Sequence, residues 1–241
     1  MSTSKTIVAM AAVLLLCVAG GEASALTFTA SSGTLAAEAV FNLVGNSLSV
    51  TLTNTSSADV LDPVEVLTAL FFDVTGDLAL TPVSAALSAG STVFFGTTDP
   101  GGVVGGEWGY ANGLAGAPHG ANEGISSSGL GLFGGASFPG TNLEGPAALD
   151  GLQYGITSAG DNPATGNAEV TGNQALIQNS VLFQFLAPQG FSLDDISDVS
   201  FQYGTALTDT NISPPVPEPA TIVLLGLGVA GMAYRRVRRS T

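Results

Sequence analysis

Apolar and polar residues alternate with a period of two over several short stretches of this chain. In residues 47–53, Leu48, Val50 and Leu52 alternate with Ser49, Thr51 and Thr53. In residues 181–186, Val181, Phe183 and Phe185 alternate with Leu182, Gln184 and Leu186. Leu26, Phe28 and Ala30 share one face, as do Val199, Phe201 and Tyr203. Period two sends successive side chains to opposite faces, so each stretch predicts a strand with one face in a core. Residues 64–74, VEVLTALFFDV, are apolar almost throughout. Helical spacing fits Val66, Leu67 and Leu70, but Pro63 ahead, the Phe71-Phe72 pair and the Thr75-Gly76-Asp77 turn favour a central strand. Further strands are expected over 39–44, 78–83, 91–95 and 152–157, with a turn at Gly45-Asn46. Many short strands separated by Gly, Pro and Asn predict a mainly β fold, an antiparallel β-sandwich or jelly-roll-like single domain.

Residues 96–151 break the pattern. They are rich in Gly, Ala, Ser and Asn, alternate little, and hold the single Trp (Trp108) and the single His (His119). A structureless loop of that length is unusual in a compact domain, so an elaborated loop with short strands or a flexible surface face is expected. GLGLFGGASF lacks the Gly-Lys-Ser/Thr of a phosphate loop.

Both ends differ from the middle. Residues 1–25 have an export-signal layout: Lys5, an apolar run over 7–18, and Ala23-Ser24-Ala25 as an A-x-A site, with Leu26 the first mature residue. The run is short for a membrane span, which sets aside an uncleaved anchor. Cys17 is preceded by Leu16 rather than by the small residue a lipidated cysteine needs. Residues 220–234 carry no charge and are followed by Arg235, Arg236, Arg238 and Arg239. As a helix they would span about 22 Å, short of a hydrocarbon core of roughly 30 Å. The arginines extend that reach by snorkelling, and they hold their end on the cytoplasmic side. The organisation expected is therefore a signal peptide (1–25), an extracellular β-domain (26–210), a Pro-rich linker (211–215) and a sorting tail with a transmembrane segment (216–241).

Charge sharpens this. All five cations are Lys5 and the four terminal arginines, whereas 17 of the 19 acidic residues lie between Leu26 and Pro217. A passenger without Lys or Arg cannot neutralise phosphates, which excludes nucleic acid as a partner, and it cannot use Lys or Arg salt bridges. With Cys17 in the signal, the mature chain has no disulfide, thiolate or cysteine ligand. A mean hydropathy of +0.42 and strong β-formers argue for a folded domain.

Candidate chemistry is sparse, and no cofactor or metal is expected. His119 sits in Ala-Pro-His-Gly with no second histidine, so a plain loop residue outweighs a general base or metal ligand. Asp194, Asp195 and Asp198 offer hard oxygen ligands without EF-hand spacing, which reads as a solvated turn. No serine lies in G-x-S-x-G. Glu107 and Glu123 are candidate carboxylates for a hydrolase of matrix polysaccharide, a weak reading since their separation is spatial. Trp108 and Tyr110 in EWGYANG are candidates to stack on a sugar, against the alternative of core aromatics. Asn54-Thr55-Ser56 and Asn211-Ile212-Ser213 match the N-glycosylation tripeptide.

Val216-Pro217-Glu218-Pro219, the apolar segment 220–234 and the basic end together resemble the PEP-CTERM sorting signal. Stretches such as TNTSSADVLDPVEVLTALFFDVTG also look like exosortase-dependent surface proteins, a family without an assigned enzymatic activity. The Leu-Pro-x-Thr-Gly of sortase substrates is absent, and a GPI signal ends in its apolar tail rather than in arginines. The resemblance implies a Gram-negative surface protein, exported by the general secretion machinery with signal peptidase and held in the inner membrane by its tail. It implies processing by an exosortase, a membrane enzyme that cleaves at or near the motif, and association with exopolysaccharide and biofilm matrix. The expected function is non-enzymatic, with a carbohydrate-binding surface module as the alternative.

Overall fold

The structure is a computed structural model and describes residues 24–215 apart from Asp77, Glu169, Thr171 and Asn173. Ala23, the motif residues Val216, Pro217, Glu218 and Pro219, and the arginines Arg235, Arg236, Arg238 and Arg239 lie outside the described residues.

In chain order the strands are β1 (Ser24–Ser32), β2 (Leu35–Val44), β3 (Ser47–Asn54), β4 (Leu67–Val74), β5 (Thr81–Leu87) and β6 (Thr92–Phe94). They continue as β7 (Gly109–Asn112), β8 (Glu123–Ser126), β9 (Ile156–Thr157), β10 (Leu176–Gln178), β11 (Ser180–Leu186), β12 (Ile196–Tyr203) and β13 (Asn211–Ile212). One sheet is antiparallel throughout, in the order β1-β2-β3-β11-β5. The other runs β13-β12-β4-β9-β10-β6, with β8 also paired to β4 and β7 to β8. Its β9–β10 pair is parallel. The chain is mainly β, and its sheets curl like half-barrels.

Alternation does what the sequence predicts in the first sheet. Val181, Phe183 and Phe185 of β11 are fully buried, while Gln184 and Leu186 are exposed. Leu48, Val50 and Leu52 of β3 join them, paired in register. Across the core, Phe41 of β2 meets Phe72 of β4 edge-on with ring centroids 5.4 Å apart.

The long apolar run is a strand, but it starts later than expected. Pro63–Glu65 form a 3-10 turn closed by a capping box between Asp62 and Glu65, and β4 begins at Leu67. Both faces of β4 are covered, which explains its unbroken hydrophobicity. Leu70, Phe72 and Val74 face the main core shared with the first sheet. Ala69 and Phe71 face a second cluster with Ala117, Ala121, Leu130, Phe133 and Leu149.

That second cluster comes largely from the Gly-rich stretch. Residues 96–151 contain β7, β8, two 3-10 turns and buried Trp108, Ile125 and Phe138. Part of this stretch covers the outer face of β4. Glycine is required where backbones touch. A methyl on Gly106 would overlap the carbonyl oxygen of Thr141, and one on Gly105 that of Pro139.

Two boundaries move. The strand expected over 78–83 runs from Thr81 to Leu87, because the backbone N–H of Leu80 instead donates to the Tyr110 hydroxyl at 3.0 Å. Asn211 and Ile212, placed by sequence in the linker, form β13 beside β12, and Ile212 is buried. The proline-rich signal of 214–219 hides the fact that Ile212 has a core position.

Candidate functional site

The seam where the two sheets meet carries the exit of the chain. β1 is an edge strand of one sheet, β13 is an edge of the other, and the two pack together. Their directions follow from their neighbours. β1 packs on the 3-10 turn Leu193–Asp195 that leads into β12. Just past the far end of β1, Thr34 Oγ1 donates to Glu65 Oε1 at 3.5 Å; the following residue, Val66, accepts through its carbonyl from the N–H of Gly204 at the end of β12. β1 and β12 therefore run the same way. β13 is antiparallel to β12. The chain thus enters at Ser24 on the pole of the Leu193–Asp195 turn and heads back toward that pole as it passes Pro215.

Beyond β13 the chain forms one wall of a groove of about 270 Å³, lined by Phe28, His119, Asp198, Val199, Ser213, Pro214 and Pro215. Phe28 is half-buried and stacks edge-on against Phe41, centroids 5.8 Å apart. His119 and Asp198 are exposed, and both have left-handed backbone, φ 57° and 49°. Asp198 sits where the β12–β4 register slips between Ser197 and Ser200, a bulge of the kind that re-aims a side chain. His119 Nε2 lies 3.1 Å from Asn211 Oδ1, and Asn211 Nδ2 donates to Gln202 Oε1 at 3.2 Å. The lone histidine is thus a loop residue that ties the last strand to the cover.

The other candidates are placed as follows. Ala25 and Leu26 lie in β1, paired with Asn42 and Phe41. Trp108 is fully buried, edge-on to Phe183 with centroids 4.9 Å apart. Its face is closed to a sugar, so the sugar-stacking reading is corrected: the wide apolar ring fills the space between the sheets. Tyr110 is half-buried on Phe185, and its hydroxyl donates to Glu123 Oε2. Burial, then the hydrogen bond to Glu123, pushes the Tyr110 phenol up. Burial also pushes the Glu123 carboxyl up to about 7, against the Tyr110 hydrogen bond and with the help of Asp73.

Glu107 is buried and accepts from the N–H groups of Leu143, at 2.5 Å, and Glu144, at 3.1 Å. Burial raises its carboxyl, and those N–H groups oppose the shift. Both carboxylates considered for hydrolysis are therefore internal and occupied. Asp195 closes a capping box, accepting from the N–H of Ser192 at 2.8 Å. Among the described residues no group of three or more His, Cys, Asp or Glu is placed to hold a metal ion. Asn54 is buried, with Nδ2 donating to the carbonyl of Ile156 at 3.1 Å, so this sequon is closed to a glycan.

The groove was not legible in the sequence. Its walls come from β1, the Gly-rich cover, β12 and the linker, and in the sequence Pro214, Pro215, Pro217 and Pro219 read instead as an extended spacer holding the motif away from the domain.

A family model for the PEP-CTERM protein-sorting motif matches residues 215–239. The match implies an exosortase as processing partner, with export and a membrane-anchored intermediate before the cell surface. No curated protein and no solved structure matches the chain. Among the described residues no helix is long and apolar enough to cross a membrane, and the sorting tail lies outside them.

Proposed function

We propose that this chain is a non-enzymatic surface or extracellular-matrix protein of a Gram-negative bacterium. A signal peptide over 1–25 starts its export through the general secretion machinery, and the tail holds it in the inner membrane until an exosortase processes it. The passenger is a β-sandwich of jelly-roll type that serves within exopolysaccharide or biofilm matrix. One observation carries the reading: the matched motif begins at Pro215, three residues past Ile212, the end of the last strand among the described residues. Placing every cation outside the passenger supports it, since nothing positive resists transfer across the membrane. The reading is also supported by the burial of Glu107 and Glu123, the candidate carboxylates of a hydrolase, and of Trp108, the main aromatic of a sugar site.

Fractionation and intact mass of the native protein test this. Export with a start at Leu26 and loss of mass at the motif are expected. Deleting residues 216–241 should change surface retention without stopping export. Unchanged localisation of that deletion sinks the proposal.

A further inference from the structure

The first residue of the matched motif is exposed at the edge of the groove. Pro215 lines the groove with Phe28, His119, Asp198 and Val199. Ile212 is buried at the end of β13, and Pro217 is five residues further on. A fully extended chain covers at most about 18 Å over that distance. A standard protein contact covers about 800 Å² per partner, a patch roughly 30 Å across. A partner centred on Pro217-Glu218-Pro219 therefore reaches the groove.

That groove presents specific chemistry. Half-buried Phe28 offers apolar surface and Asp198 an exposed carboxylate. His119 and Asp198 are both held in the left-handed region that costs a non-glycine residue free energy, and both line this groove. The domain offers no Lys or Arg between Leu26 and Pro217, so the matching surface is one with donors or cations beside an apolar side chain. The chain leaves the domain at Pro215 beside this groove, so a membrane-held tail brings the groove toward the membrane and toward any enzyme embedded there.

We propose that the groove is an exosite, bound by the membrane-embedded processing enzyme at the same time as the motif beside it. The inference rests on the tail-processing reading above. The exosite holds the motif in register with the enzyme, so substrate choice depends on the folded domain as well as on the tail.

The test uses the full chain in an exporting cell that carries the processing enzyme, with the rate of tail removal read by intact mass. A six-residue Gly-Ser insertion between Pro215 and Val216 separates motif from groove without touching the fold. A second chain carries His119→Asn with Asp198→Asn, since Asn tolerates the left-handed backbone. Each is expected to slow tail removal tenfold or more, with export unchanged. Wild-type rate in the insertion overturns the exosite, as does wild-type rate in the Asn pair with unchanged melting. If the Asn pair melts early, the insertion alone decides. If the unaltered chain keeps its tail, and alanine at Pro217, Glu218 and Pro219 makes no difference, the sorting reading fails and the exosite with it. Motif-dependent processing that ignores the insertion overturns the exosite alone.

Discussion

Tyr110 and Glu123 meet diagonally across the β7–β8 pair, the phenol hydroxyl donating to the Glu123 carboxylate inside the main core. Glu123 is 3% exposed and shares its pairing with Phe72, so its side chain points between the sheets. The same hydroxyl accepts from the N–H of Leu80 at 3.0 Å. A carboxyl in this place holds the start of β5 through Tyr110, and it does so in an apolar setting that disfavours its charge.

Stability should therefore fall between mildly acidic and neutral pH. Glu123 titrates at about 7 in the folded chain against 4.5 ordinarily. The folded state keeps a proton that the unfolded state has released, so the stabilisation is complete below about pH 4.5 and lost by about pH 7. The loss is about 3 kcal/mol at most. Glu107 and Asp161, also raised by burial, add in the same direction. Urea denaturation of wild type and Glu123→Gln at pH 5 and pH 8 isolates the Glu123 share. The variant is expected to lose less stability than wild type across that interval; equal losses refute the assignment.

Trp108→Ala should destabilise the domain by about 3–5 kcal/mol, the range for a large buried aromatic. Trp108 packs on Phe183, and Phe138 bridges Phe183 and Phe185 with centroids 5.3 and 5.2 Å away. Emptying this position leaves a cavity between the sheets. Chemical denaturation of the purified domain measures it. A loss under about 1 kcal/mol would show that Trp108 is not a core residue.

Gly106→Ala should cost about 1–3 kcal/mol by overpacking. Its methyl meets the Thr141 carbonyl, so the Gly105–Glu107 turn must lift off the 139–142 segment and weaken the Glu107 bonds to Leu143 and Glu144. Gly134 is the control: it is exposed, has no positive φ, and an added methyl meets nothing within 4 Å. Gly134→Ala should stay within about 0.5 kcal/mol of wild type. Equal midpoints for the two variants would contradict the close approach.

Strands with one wet face were the legible part of this fold. β3 and β11 show their inner residues by alternation because Ser, Thr and Gln mark the outer face. β8 gives no such signal: Glu123, Gly124, Ile125 and Ser126 are all buried, since one face meets the core and the other the Gly-rich cover. β10 was missed for a related reason, being three residues between β9 and β6 with no room for a period. In β12, Gln202 is buried as deeply as Phe201, because its Nε2 donates to the carbonyls of Tyr203 and Ala206 at 2.9 and 3.0 Å. Local sequence shows polarity and cannot show such distant coverage. The sorting tail was legible because its signal is contiguous, whereas the groove is assembled from four separate segments.

The domain should need residues up to Ile212 but not the tail. Ile212 is buried beside Phe201, and Asn211 bonds to Gln202 and pairs with His119. A chain ending at Pro215 keeps all of this. A chain ending at Thr210 loses the Ile212 side chain, worth about 1.5–3 kcal/mol when buried, and opens the edge of β12. Comparing residues 26–215 with residues 26–210 by urea denaturation should give a midpoint for the longer chain equal to that of the tail-processed protein. The shorter chain should be weaker by roughly the Ile212 contribution, and more easily cut by protease near β12. Equal midpoints would place the boundary at 210, and would mean that β13 contributes nothing to the fold that presents the motif.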